Sequence, residues 1–264
     1  MAAVRAACPL VHNITNFVAM NVQANVLLAA GASPAMVHAR EEVAEFAAIA
    51  SALTINIGTL EPDWLDAMLW AAEGARDAGR PWVLDPVAVG ATSYRRQAGG
   101  VLLARRPTAI RANASEIIAL AGIGRRSEDD GAGKGRGADA IDSVAAAEDA
   151  GRELARRSGA VVAITGETDF VTDGSRAVLI HGGHPIMPRI TVMGCSLTGL
   201  TGAYVAALAD PFDAVVSACA LFAAAGEEAG RSATGPGSFQ PLFLDALYTM
   251  SPDSLDAAAR ITPA

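Results

Sequence analysis

The chain has 264 residues, 52% hydrophobic and 18% charged, with a formal net charge of −8. That length suits one large α/β domain or two small ones, and the acidic balance argues against a nucleic-acid backbone as partner. The longest apolar runs, near 47–58 and 215–226, fall short of the roughly 20 residues a bilayer span requires. Cys8, Cys195 and Cys219 are widely spaced and odd in number, which speaks against a disulfide framework and for a reducing cytoplasm. Arg5 is a lone charge with no apolar core after it, so no signal peptide is expected. The apolar excess favours an oligomer.

Taken in chain order, the pattern predicts a helix over 16–30, a strand over 33–37, a helix over 40–51 and a strand over 53–58. A helix over 61–79, a strand over 82–85, a helix over 93–105, a strand over 109–112 and a helix over 113–122 follow. The charged, glycine-rich stretch 124–139 reads as a mobile surface loop. A helix over 143–158 and a strand over 161–165 resume the alternation. Residues 169–183 carry Asp173-Gly174 between two β-like runs and read as a hairpin. Three helices, over 195–209, 212–229 and 240–249, close the chain. Apolar strands alternating with amphipathic helices imply crossover units, a largely parallel sheet and helices on both faces, in a single α/β domain over 1–264.

Several short motifs invite chemistry. "GAGKGRG" (131–137) fails as a phosphate-binding loop, because Gly135 follows Lys134 and Glu128 stands where the first glycine is needed. "HGGH" (181–184) lacks the three or four ligands at recognised spacing that zinc requires, and reads as a turn. Asp85 ends a strand before Pro86, where a carboxylate suits a hydrated magnesium ion or simply starts a turn. In "IRANASEI" (110–117), Asn113 and Glu116 have capping-box spacing, and on those two residues alone the structural reading leads. Beside them, Arg111 is placed to meet a phosphate, and Glu116 to hold a metal-bound water. Thr165-Gly166 is another polar strand end. Gly194-Cys195 opens a helix, whose free amides and positive dipole end suit an anion. Cys195 is then a nucleophile paired with one of His12, His38, His181 or His184, a buried apolar thiol, or a compact side chain beside a phosphoryl group in transit.

The motif set, in order, resembles the hydroxyethylthiazole kinase family. The resemblance rests on "PLVHNITNFVAMNVQANVLLAAGASPAM" (9–36), "NIGTL" (56–60), "DPVAVGATSYR" (85–95), "IRANASEI", "AITGETD" (163–169), "MGCSLTG" (193–199) and "GPGSFQ" (235–240). It implies a ribokinase-like fold and magnesium-dependent transfer of the ATP γ-phosphate to the alcohol of 4-methyl-5-(2-hydroxyethyl)thiazole, a salvage step feeding thiamine synthesis. It also implies a homotrimer with sites between subunits. Carried over residue by residue, it assigns Met36, Asn16 and the position of Val192 to the substrate, and Arg111 and Thr165 to ATP. Asp85 and Glu116 fall to magnesium, and Gly194 and Cys195 to catalysis. Val192 and Ala112 depart from the pattern, each standing where family members often have glycine. A β-branched residue takes a positive φ only with strain, so an extended geometry at 192 would accept valine and a glycine-only geometry would disturb substrate fit.

Overall fold

The computed structural model describes residues 1–124 and 140–264. The loop expected over 124–139 and the rejected phosphate-loop motif lie, from 125 onward, outside them. The strands are β1 (Leu10–Ile14), β2 (Ser33–Ala35), β3 (Ala52–Asn56), β4 (Trp82–Asp85), β5 (Ala109–Asn113), β6 (Val161–Thr165), β7 (Thr168–Thr172), β8 (Ala177–His181) and β9 (Arg260–Pro263). They form one sheet in the order β2-β1-β3-β4-β5-β6-β7-β8-β9. Pairing is parallel from β2 through β6 and antiparallel from β6 to β9. The expected hairpin is β7–β8, turning through Gly174 at φ 90°.

The helices are α1 (Ala2–Ala7), α2 (Met20–Ala30), α3 (Val43–Ile49), α4 (Pro62–Asp77), α5 (Ser93–Leu103), α6 (Ala114–Gly122), α7 (Ala140–Ser158), α8 (Met193–Ala207), α9 (Pro211–Ser232), α10 (Pro236–Thr249) and α11 (Pro252–Ala258). They cover both faces of the sheet, because successive strand residues point to opposite sides. In β3, Leu53 and Ile55 enter the core that holds Trp64, Met68 and Leu84, while Ala52 joins the core of Leu200, Tyr204 and Phe222. On that second face α8 lies across β1, β3 and β4. Gly202 permits the close approach: a Cβ there would sit 2.6 Å from Thr54 Cγ2.

The structure corrects the reading at the start of the chain. Leu10–Ile14 is a strand between β2 and β3, and the helix expected over 16–30 begins only at Met20. His12 and Asn13 interrupt the apolar run that would have marked β1, yet both are buried, with Asn13 Nδ2 donating to Val11 O and His12 Nε2 bonded to Val37 O. The short elements α1, α11 and β9 were likewise not anticipated.

Candidate active site

Parallel register aligns the carboxyl ends of six strands, β2, β1, β3, β4, β5 and β6, along one edge of the sheet, the place where open α/β sheets bind ligands. Asn56 pairs with Asp85 and Asn113 with Thr165. The first turn of α8 faces this row.

Asp85 is fully buried. Its Oδ2 accepts hydrogen bonds from Asn56 Nδ2 at 2.7 Å and Thr198 Oγ1 at 2.8 Å. Its Oδ1 has no hydrogen-bond partner among the described residues, with Arg111 Nη1 standing 3.7 Å away. Burial pushes the Asp85 carboxyl up from its ordinary value, against the opposing pull of Arg111 and Thr198. A buried carboxylate oxygen without a donor is the atom here that asks for a cation.

Arg111 donates from Nη2 to Thr165 Oγ1 at 2.6 Å. Its guanidinium lies under Gly194, where a Cβ would overlap it, so a side chain there would have to displace this cation from its contact with Thr165. Glu116 completes the capping box expected from its spacing: Oε2 accepts from Asn113 N, and Asn113 Oδ1 accepts from Glu116 N. Its Oε1 accepts from Ala88 N at 2.8 Å. Glu116 therefore ties α6 to the loop after β4, and any metal-bound water would have to use lone pairs left over from these amides.

Met193, Gly194 and Cys195 begin α8, so their N–H groups lack intrahelical acceptors. Val192 caps the helix at φ 69°, ψ 7°. The backbone is thus in the left-handed region that glycine prefers, and valine occupies it under strain. The Cys195 sulfur accepts from Asn16 Nδ2 at 3.3 Å and Asn56 Nδ2 at 3.2 Å. Burial, then the nearby Asp85 charge, pushes this thiol up from its ordinary value. No histidine is among these partners: His12 bonds Val37 O, His181 meets Thr168 and Thr262, His184 stacks near Phe239, and His38 near Trp64. A nucleophilic Cys–His pair is not assembled.

A cavity of about 1170 Å³ opens beside this cluster, bounded by Arg111, Thr165, Asp169, Val192, Gly194 and Phe222. Asp169, pushed up to about 6 by burial, accepts from Gly166 N and so braces the Thr165–Gly166 strand end. Met36 stands apart, just after the edge strand β2, with β1 between it and β3. The carbonyls on either side of it are held by Asn13 Nδ2 to Ala35 O and His12 Nε2 to Val37 O. Asn56 and Thr198 were not singled out beforehand. Both sit inside quoted motifs, "NIGTL" and "MGCSLTG", and Asn56 carried the same signal as Asp85, a polar residue closing an apolar strand.

A largely parallel sheet with Asp85 and Arg111 at its edge beneath the start of α8 fits a kinase of the ribokinase-like class. Solved structures agree on the fold: the pyridoxal kinase from Staphylococcus aureus in complex with AMP-PCP superposes with a TM-score of 0.61 at 18% identity, covering 84% of this chain and 89% of that one. The hydroxyethylthiazole kinase from Pyrococcus horikoshii OT3 reaches a TM-score of 0.89 at 39% identity, covering 100% and 96%. The hydroxyethylthiazole kinase of Cereibacter sphaeroides is 62% identical over 260 residues, 98% of this chain and 96% of the relative. That of Rhizobium etli is 59% identical over 261 residues, 98% of each. A model of the hydroxyethylthiazole kinase family matches residues 1–253, and the chain belongs to that family.

Proposed function

We propose that the protein transfers the γ-phosphate of ATP to the hydroxyl of 4-methyl-5-(2-hydroxyethyl)thiazole, in thiamine precursor salvage. The observation that carries this reading is the meeting of Arg111, Asp85 and the Gly194–Cys195 turn at one sheet edge, beside a cavity large enough for a nucleotide, in a member of this family. Phosphoryl transfer needs positioning and charge neutralisation more than covalent chemistry. Arg111 and Thr165 would engage the ATP phosphates from the cavity side. The free amides of Gly194 and Cys195 would receive the oxygens of the transferring group. Asp85 would hold magnesium through its unpartnered Oδ1, with Glu116 assisting through water; the bound ion would supply charge neutralisation to the phosphates. Among the described residues no three His, Cys, Asp or Glu side chains converge on one point. Magnesium is commonly held by one or two carboxylates together with substrate phosphates and water, the role assigned here to Asp85 and Glu116. Cys195 would lie beside the acceptor alcohol. Asn16, Met36 and Val192 would border the thiazole.

A homotrimer with shared sites belongs to the same reading. Its support is Phe17 and Val18, apolar residues 64% and 58% exposed immediately after Asn16. Cytoplasmic residence is supported by three free cysteines and by ATP as co-substrate. Among the described residues no helix is long and apolar enough to cross a membrane.

The deciding experiment is a coupled ATP assay over small alcohols, including the thiazole and a hydroxymethylpyrimidine, with and without magnesium. Thiazole phosphate formed only with magnesium is the expected result. Phosphorylation of the pyrimidine without the thiazole would remove the substrate assignment and leave the kinase.

A further inference from the structure

We infer that Asn56, at the end of β3, is a positioning residue for the transfer step: its amide clamps the Cys195 sulfur to the Asp85 carboxylate. The inference rests on the kinase reading above. Asn56 is 2% exposed, and all its hydrogen-bonding capacity is used. Oδ1 accepts from Gly58 N at 2.9 Å and from Asn16 Nδ2 at 3.0 Å. Nδ2 donates to Asp85 Oδ2 at 2.7 Å and to Cys195 Sγ at 3.2 Å. The orientation of the amide is not arbitrary. The backbone N–H of Gly58 can only donate, so the oxygen must face it and the NH2 must face the carboxylate and the sulfur.

This arrangement joins three elements at one side chain. Asn56 belongs to β3, Asp85 to β4 and Cys195 to the first turn of α8. Thr198, one turn further along α8, reaches the same Asp85 oxygen at 2.8 Å. The helix is therefore held to β4 directly through Thr198, and the sulfur is held to β3 and β4 through Asn56. Asn16 supplies the second donor to the sulfur. With two amides directed at Sγ, the thiol hydrogen points away from both. The thiol thus presents one fixed face, and the Cys195 amide beside it is fixed with it. Asn56 does not touch the transferring phosphate; it acts by keeping Sγ and the α8 amides in register with Asp85.

A buried amide that merely satisfied its neighbours would produce the same hydrogen bonds, so the test must read coupling. Asn56→Leu removes both donors at similar size, and Asn56→Ser returns one hydroxyl. With purified protein, ATP, magnesium and the accepted alcohol, Asn56→Leu should lower kcat by about 10–100-fold while the apparent KM for ATP stays within about twofold. Asn56→Ser should recover part of that loss. In a Cys195→Ala background the same Asn56→Leu change should cost at least about fivefold less than in the wild type, because the sulfur it holds is gone and only its bond to Asp85 remains to be lost. Equal losses in both backgrounds would overturn the inference. If Asn56→Leu does not fold, judged by its melting curve, Asn56→Ser carries the cycle. If Cys195→Ala turns over too slowly, the ratio of ATP hydrolysed to alcohol phosphorylated in Asn56→Ser decides: a rise of about fivefold or more supports the clamp, and an unchanged ratio removes it. Wild-type protein that phosphorylates no alcohol removes the kinase reading and this inference together; active wild type with an additive cycle removes the inference alone.

Discussion

Cys195 sits between two amide donors and near a buried carboxylate, and those neighbours limit what its thiol does. Burial pushes its thiol up from the ordinary value, and no histidine is hydrogen-bonded to it. Cys195→Ala keeps the backbone amides of α8 and should therefore leave measurable kinase activity, with intact-mass spectra during turnover free of a covalent adduct. An adduct on Cys195 forming and decaying at the turnover rate would instead establish a nucleophile. Arg111 contributes differently, as the only cation within 4 Å of Asp85 among the described ion pairs. Arg111→Ala should raise the apparent KM for ATP by about tenfold or more, through the lost forked contact to phosphate. It should also lower the melting temperature, because Asp85 stays buried without its partner. His12 offers a prediction in pH. Its imidazole is pushed down to about 4 by burial, against an ordinary 6.5. The unfolded chain binds a proton below about pH 6.5 and the folded chain only near 4, so this group's stability is full above 6.5 and lost as pH falls through 4. Between pH 7 and 4, urea titrations should show wild type losing about 3 kcal/mol more than His12→Gln. Asp169, shifted up to about 6, works in the opposite direction over the same window, but it is common to both proteins and cancels in the difference.

At the level of elements, the start of α8 concentrates the tension in this fold. Val192 adopts φ 69° where the family pattern often has glycine. The chain accepts the strain because the turn must present three free amides to the sheet edge. Left-handed geometry costs a non-glycine residue roughly 1–2 kcal/mol. Val192→Gly should thus raise stability by about 1 kcal/mol in thermal or urea unfolding with activity retained; a loss of stability would show that the valine side chain packs usefully against the cavity wall. The capping box of α6 was readable from Asn113 and Glu116 alone, because its spacing is local. The strand β1 was not readable. Its register between β2 and β3 depends on partners far along the chain, and its buried His12 and Asn13 disguise the apolar pattern.

For the whole molecule, two of the exposed large apolar residues, Phe17 and Val18, directly follow the site residue Asn16. Phe17 packs against Trp64 with ring centroids 4.8 Å apart, yet remains 64% exposed. Two adjacent exposed apolar side chains next to a polar site are what a subunit contact would cover. Light scattering at micromolar concentration should give a trimeric mass, and Phe17→Asp should shift it toward monomer and lower activity. A fully active monomer would remove the shared-site arrangement.

Local signals alone determined much of this protein. Strand ends closed by Asp85 and Thr165, Arg111 two residues before the end of its strand, a glycine opening a helix at Gly194, and the alternation of strands with helices are contained in short stretches, since period and capping are properties of neighbouring residues. Tertiary structure alone decided which of those ends meet. It placed Asn56 between Asp85 and Cys195, and it laid Arg111 under Gly194. It directed Sγ to two asparagines, and it gave Val192 its left-handed backbone. The meeting of Asn56 with Asp85 depends on the parallel register of strands more than 25 residues apart in the chain, and no local pattern encodes a distance across a sheet.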